Sequence, residues 1–175
     1  MTPTQALLQA TSTEGTLASD IRKLIRQGAN VNARIGENGL TPLICAATFL
    51  NRECIKILID AGAVVNARTN PDFMGGKTAL IQAVRSHRDS GVINDLINAG
   101  ADLNVADTDG RTALMYAAGM SNNPAIVEIL VAEGANINQR DKYGWTALDL
   151  AKKNNSNPEI ARVLVSMGAK SSGRC

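Results

Sequence analysis

Few side chains in this chain of 175 residues have the type and spacing that covalent or acid–base chemistry needs. Gly75-Gly76-Lys77-Thr78 ends like a phosphate-binding loop, in which glycine N–H groups cradle phosphate oxygens, a lysine reaches the terminal phosphates and a hydroxyl holds magnesium. The glycine required five residues before Gly76 is Pro71 instead, and Thr78 is needed as a helix cap. His87 is the only histidine. A nucleophile–histidine pair would also need an acid to orient the ring, whereas His87 lies between Arg85 and Arg88 and reads as a solvated turn residue. Cys45, Cys54 and Cys175 form no C-x-x-C pair, and with one histidine they cannot assemble a zinc site. Their odd number argues against a disulfide framework, so the thiols read as reduced. Asp107 and Asp109 flank a turn glycine, which turn formation explains better than paired acid–base work. Asn154-Asn155-Ser156 fits a glycosylation acceptor but reads as a turn between helices. The residues therefore point to no catalytic centre, no metal and no cofactor.

Composition narrows the class further. The chain is 45% hydrophobic but 3% aromatic, so its core must be built from Leu, Ile, Val and Ala, which disfavours aromatic-cored sandwiches and lectin-like barrels. The length suits one folded unit or a tandem array. Eighteen Lys plus Arg against sixteen Asp plus Glu leave a formal charge of +2, neither the basic balance of a nucleic-acid binder nor an acidic tail. The first twenty residues lack a basic start and an apolar run, and no stretch approaches 18 apolar residues. A cytoplasmic protein that does not enter membranes is expected.

The elements that carry these residues recur. Gly-Ala pairs stand at Gly28, Gly62, Gly100, Gly134 and Gly168, at intervals of 34, 38, 34 and 34. A second series, Thr41-Pro42-Leu43, Thr78-Ala79-Leu80, Thr112-Ala113-Leu114 and Thr146-Ala147-Leu148, runs in the same phase, each two residues after a glycine. Between the markers lie two short apolar-periodic segments, which read as an antiparallel helix pair. Thr caps the first helix, Asp89, Asn123 and Asn157 cap the second, and the glycine of each Gly-Ala pair ends it. The stretches Asn30 to Ala33, Val64 to Ala67, Asp102 to Val105 and Asn136 to Gln139 lead into Asx-rich projecting turns. Cys54 takes the place of Val92, Ile126 and Ile160, which marks it as a small core residue.

These motifs, G-L-T-P-L-I-C-A-A with I-K-I-L-I-D-A-G-A-V-V-N-A, and G-R-T-A-L-M-Y-A-A with V-E-I-L-V-A-E-G-A-N-I-N, resemble the ankyrin-repeat family over nearly the whole chain. The resemblance implies an all-α solenoid of stacked antiparallel helix pairs with β-hairpin-like fingers. It is a single domain over 1–175, with repeats near 1–35, 36–69, 70–107, 108–141 and 142–175. The family's His after Thr-Pro-Leu is replaced by Ile44, Ile81, Met115 and Asp149, and of these only Asp149 could complete a capping box, with Thr146. The extra residues of Asn70 to Gly75 lengthen one finger and are expected to weaken the interface there.

In this family partners are gripped by fingertips and the inner helix face. That implies a non-enzymatic, monomeric module for protein recognition, with contacts from Leu40, Phe49, Phe73, Met74, Lys77, Arg85, Arg111, Tyr116, Met120, Tyr143 and Trp145. All five aromatics are in that set, and aromatics are enriched at interface cores. An inhibitor or immunity-type protein that masks its target is favoured over an adaptor bridging two partners. Nucleic-acid binding, motivated by Arg34, Arg68, Lys77, Arg85 and Arg88, is diluted by Asp72, Asp89, Asp107 and Asp109 and is not expected.

Overall fold

The computed structural model describes residues 1–13, 15–49, 52–86, 89–154 and 157–173. His87, Arg88, Cys175 and the Asn155-Ser156 step of the acceptor motif lie outside the described residues. Eleven helices are found among the described residues: α1 (Pro3–Thr11), α2 (Ala18–Arg26), α3 (Pro42–Thr48), α4 (Arg52–Asp60), α5 (Pro71–Met74), α6 (Ala79–Ser86), α7 (Ser90–Asn98), α8 (Ala113–Met120), α9 (Pro124–Ala132), α10 (Ala147–Asn154) and α11 (Pro158–Ser166). Apart from α5 they alternate as first and second helix of five pairs. Extended pairing among the described residues is confined to two bridges, Ile35 with Leu40 and Arg68 with Thr78, each at the base of a finger.

Side-chain caps start the helices as their residue types require. Thr41, Thr78, Thr112 and Thr146 accept from the N–H three residues on, at 3.3 to 3.4 Å. Asp89, Asn123 and Asn157 accept from the N–H two residues on, at 2.8 to 3.1 Å. In the last repeat the box is reciprocal, because Asp149 Oδ2 accepts from both the N–H and the hydroxyl of Thr146 at 2.9 Å.

Packing builds two layers. α1, α3, α6, α8 and α10 stack in one, and α2, α4, α7, α9 and α11 in the other, each pair joined across a core of Leu, Ile, Val and Ala. Small buried residues (Ala46, Ala47, Ala83, Ala117, Ala118 and Ala151) let the first helices approach more closely than the second. A stack with one layer more tightly spaced curves toward that layer. The first helices therefore form the inner face.

Between repeats runs an asparagine ladder. Asn32 donates through Nδ2 to the Gly62 carbonyl at 3.0 Å and accepts from the Val64 N–H at 2.7 Å. Asn66 repeats both bonds, to the Gly100 carbonyl at 2.9 Å and from the Asp102 N–H at 2.8 Å. Asn104 and Asn138 accept from Asn136 N–H at 2.7 Å and Lys170 N–H at 2.8 Å. The fingers are joined as well, by N–H to carbonyl bonds from Asn70 to Asn38, Thr108 to Gly75 and Lys142 to Asp109. The lengthened finger takes part in these ties. Its extra residues fold into α5, capped by Asn70, and bond to the fingers on both sides. Gly110 shows how close these fingers lie. At φ 76°, a Cβ there would stand 2.8 Å from the Lys142 nitrogen.

Candidate recognition surface

Two buried aspartates shape the fingers from within. Asp107 Oδ1 accepts from the N–H groups of Asp109 and Arg111 at 2.9 and 3.0 Å, closing the turn around Gly110. Asp141, at the same place in the next finger, accepts from Tyr143 and Trp145, both at 2.9 Å. Their second oxygens reach toward the inner face. Asp107 Oδ2 accepts the Tyr116 hydroxyl at 2.6 Å with Lys77 Nζ at 3.7 Å, and Asp141 Oδ2 meets Arg111 Nε at 3.4 Å. Burial, then the hydrogen bond to Asp107 and its negative charge, push the Tyr116 phenol well above its usual range.

The eleven residues expected to make contact divide by exposure. Phe49, Phe73, Met120 and Tyr143 are exposed, as is Arg85. Leu40 and Trp145 are half-buried and packed on the core. Met74, Lys77 and Arg111 are also half-buried, with Lys77 Nζ donating to the Met74 carbonyl at 2.9 Å. Tyr116 lies deeper than an open contact residue, with its hydroxyl committed to Asp107.

Three of the five aromatics carry a cation on their face. Arg85 lies 5.4 Å from the Tyr116 centroid, Lys142 5.0 Å from that of Tyr143, and Lys153 4.2 Å from that of Trp145. Sequence reasoning missed Lys153 and Asp141. A signal for Asp141 was present, since Asp107 and Asp141 each stand three residues before a finger glycine. Lys153 had none, because its eight-residue distance from Trp145 crosses a helix start. Asp109 pairs with Lys142, which lowers its pKa and raises that of the lysine.

Arg34 and Arg68, considered for phosphate contacts, direct their guanidinium groups at backbone instead. Arg34 donates to the Arg68 carbonyl at 3.0 Å, and Arg68 to those of Gly76 and Ala106 at 2.9 and 2.7 Å. Cys45 and Cys54 are both buried, and burial raises both thiols, Cys54 to about 11 with the Glu53 charge adding. Neither thiol is set up as a nucleophile. No helix among the described residues is long and apolar enough to cross a membrane.

A model for three copies of ankyrin repeats matches residues 7–107 and again 86–173. A BRCA1-associated RING domain protein 1 of Caenorhabditis elegans is 33% identical over 49% of this chain and 11% of its own length. The neurogenic locus Notch protein of Drosophila melanogaster is 35% identical over 51% of the chain and 4% of its own length. An ankyrin repeat protein of fowlpox virus (strain NVSL) is 33% identical over 51% of the chain and 25% of its own length. The chain thus spans at most a quarter of these relatives.

Proposed function

This chain belongs to the ankyrin-repeat family, a family of non-enzymatic interaction modules, and from that premise we propose that it masks a single protein partner with its fingers and first-helix layer. One observation supports this reading most: the five aromatics and all three cation–π pairs gather on that side. The Caenorhabditis elegans relative, named for its association with another protein, is in keeping with a protein partner. Mechanistically the stack is a preformed scaffold. Binding therefore costs little backbone ordering, and affinity rests on a few desolvated side chains. The second-helix layer bears ion pairs such as Arg22 with Glu53 and Arg52 with Asp95 in place of aromatics, and one rich face favours one partner at a time.

The test isolates the partner by pull-down from native cells and measures its affinity for variants. Trp145→Ala and Tyr143→Ala are each expected to weaken binding at least about tenfold, the usual scale for a truncated interface aromatic, with circular dichroism unchanged. Normal binding by both, with loss in Lys56→Glu or Glu128→Lys on the second-helix layer, would place the function on the outer surface. Recovery of two different proteins in one complex would replace masking with bridging.

A further inference from the structure

Between α8 and α10 the first-helix layer opens into a groove of about 340 Å³. Gly119 stands in its lining. It stands seven residues after the capping Thr112, the place held by Thr48 in the second repeat, Arg85 in the third and Lys153 in the fifth. The fold does not ask for glycine there. Its φ is not positive, and a Cβ would meet nothing nearer than the Leu150 Cβ at 3.6 Å, ordinary van der Waals contact. Glycine is also the poorer helix former, so Gly119 costs α8 some stability. Met115, Tyr116, Met120 and Leu150 line the groove, with Met120 the exposed one of the four, and Arg111 and Asn154 border it.

The acids beside the groove, Asp107 and Asp141, are buried and already paired, with Tyr116 and Lys77 and with Arg111 respectively. Among the helices of the first layer the sole acid is Asp149, which is buried and occupied by hydrogen bonds from Thr146, Ser171 and Ser172. Arg85 and Lys153, at the Gly119 register one repeat before and one after, are each laid on an aromatic ring. Arg111 meets Asp141 through Nε alone, and at the long distance of 3.4 Å. The second-helix layer is balanced by comparison, with acids on every helix from α2 to α11.

Resting on the reading that this side is the recognition surface, we propose that the groove seats one apolar side chain of an acidic peptide segment of the partner. Carboxylates on either side of that residue meet Arg85, Arg111 and Lys153. The apolar lining gives the anchor its place, and the cations give the segment its sign and direction.

The test pans a phage-displayed library of random twelve-residue peptides on the intact protein and measures the selected peptides by fluorescence polarisation. The expected peptides carry Asp or Glu on both sides of one Leu, Ile, Met or Phe, and bind more weakly as salt rises. Gly119→Leu places a side chain in the groove, Gly119→Ala adds a single methyl, and Arg85→Glu reverses one flank. Gly119→Leu and Arg85→Glu should each weaken binding at least about tenfold and Gly119→Ala by less, with the unfolding midpoint of Gly119→Ala unchanged or raised, so that loss of folding cannot imitate loss of the site. Neutral or basic selected peptides, or acidic ones that bind Gly119→Leu as they bind the parent, overturn the proposal. So does a random-sequence RNA oligonucleotide that displaces the peptides and itself loses binding to Arg85→Glu. A native partner sensitive to Trp145→Ala but indifferent to Gly119→Leu overturns the groove while leaving the recognition surface standing. One sensitive only to Lys56→Glu overturns both.

Discussion

At the scale of single residues, Tyr116 and Asp107 carry a clear energetic stake. The phenol donates to a buried carboxylate at 2.6 Å, and hydrogen bonds to charged groups are the stronger ones. Tyr116→Phe keeps the ring under Arg85 but removes the donor, so a loss of about 1 to 3 kcal/mol is expected in denaturant unfolding. Because the folded-state phenol is raised mainly by burial, the unfolded chain releases this proton first, from about pH 10 upward. Stability should therefore fall above that pH, and Tyr116→Phe should remove that component of the fall along with the late phase of an alkaline absorbance titration. Sequence placed Tyr116 on a first helix, and it lies in α8. Its burial could not be read, because the residue it depends on is nine positions away in a finger.

Among elements, the helices were legible and the ties between repeats were not. Capping threonines, Asx-proline starts and terminating glycines are local chemistry, and each stands within three residues of what it caps. The asparagines of the ladder read as turn formers, since the groups they hold lie 30 to 36 residues away. Asn66→Ala should cost about 0.5 to 1.5 kcal/mol by removing its exposed bonds to the Gly100 carbonyl and from the Asp102 N–H, read as a lower unfolding midpoint. A stack in which this loss left stability untouched would have its coupling in the helices alone. Helix α5 escaped the sequence reading for a similar reason. Four residues are too few to show periodicity, although Asn70-Pro71 is the same cap-and-proline pair that opens α9 and α11. Asp149 ties the start of α10 to the Ser171-Ser172 segment. Burial opposes its charge, but hydrogen bonds from Ser171, Ser172 and Thr146 outweigh that and hold the carboxyl below its usual value. Its contribution is full above about pH 4 and is lost as pH falls through the lowered folded value. Asp149→Asn should flatten the acid limb of the stability curve, measured by thermal melts from pH 7 to pH 2.

For the whole molecule, stability is a sum of repeats and the interfaces between them, so protection should follow the number of neighbours. Amide exchange is expected to be fastest across Met1 to Gly15, where α1 belongs to an end repeat, and slow at Thr108, whose N–H is held by the Gly75 carbonyl. Rapid exchange at Thr108 would show that the lengthened finger parts from its neighbour in solution. The solenoid and its pairing of helices followed from a period visible in the sequence. Which inner-face residues are open did not, because exposure there depends on what the adjoining repeat presents, as Gly119 does to Leu150. The ladder also bears on how such a chain can change over time. Asn32 and Asn66 make the same pair of bonds although one spans an interval of 34 residues and the other an interval of 38. A fingertip can therefore gain or lose a few residues in one genetic event without disturbing the register of anything behind it, which makes the Asn70 to Gly75 tip a natural place to graft a new loop.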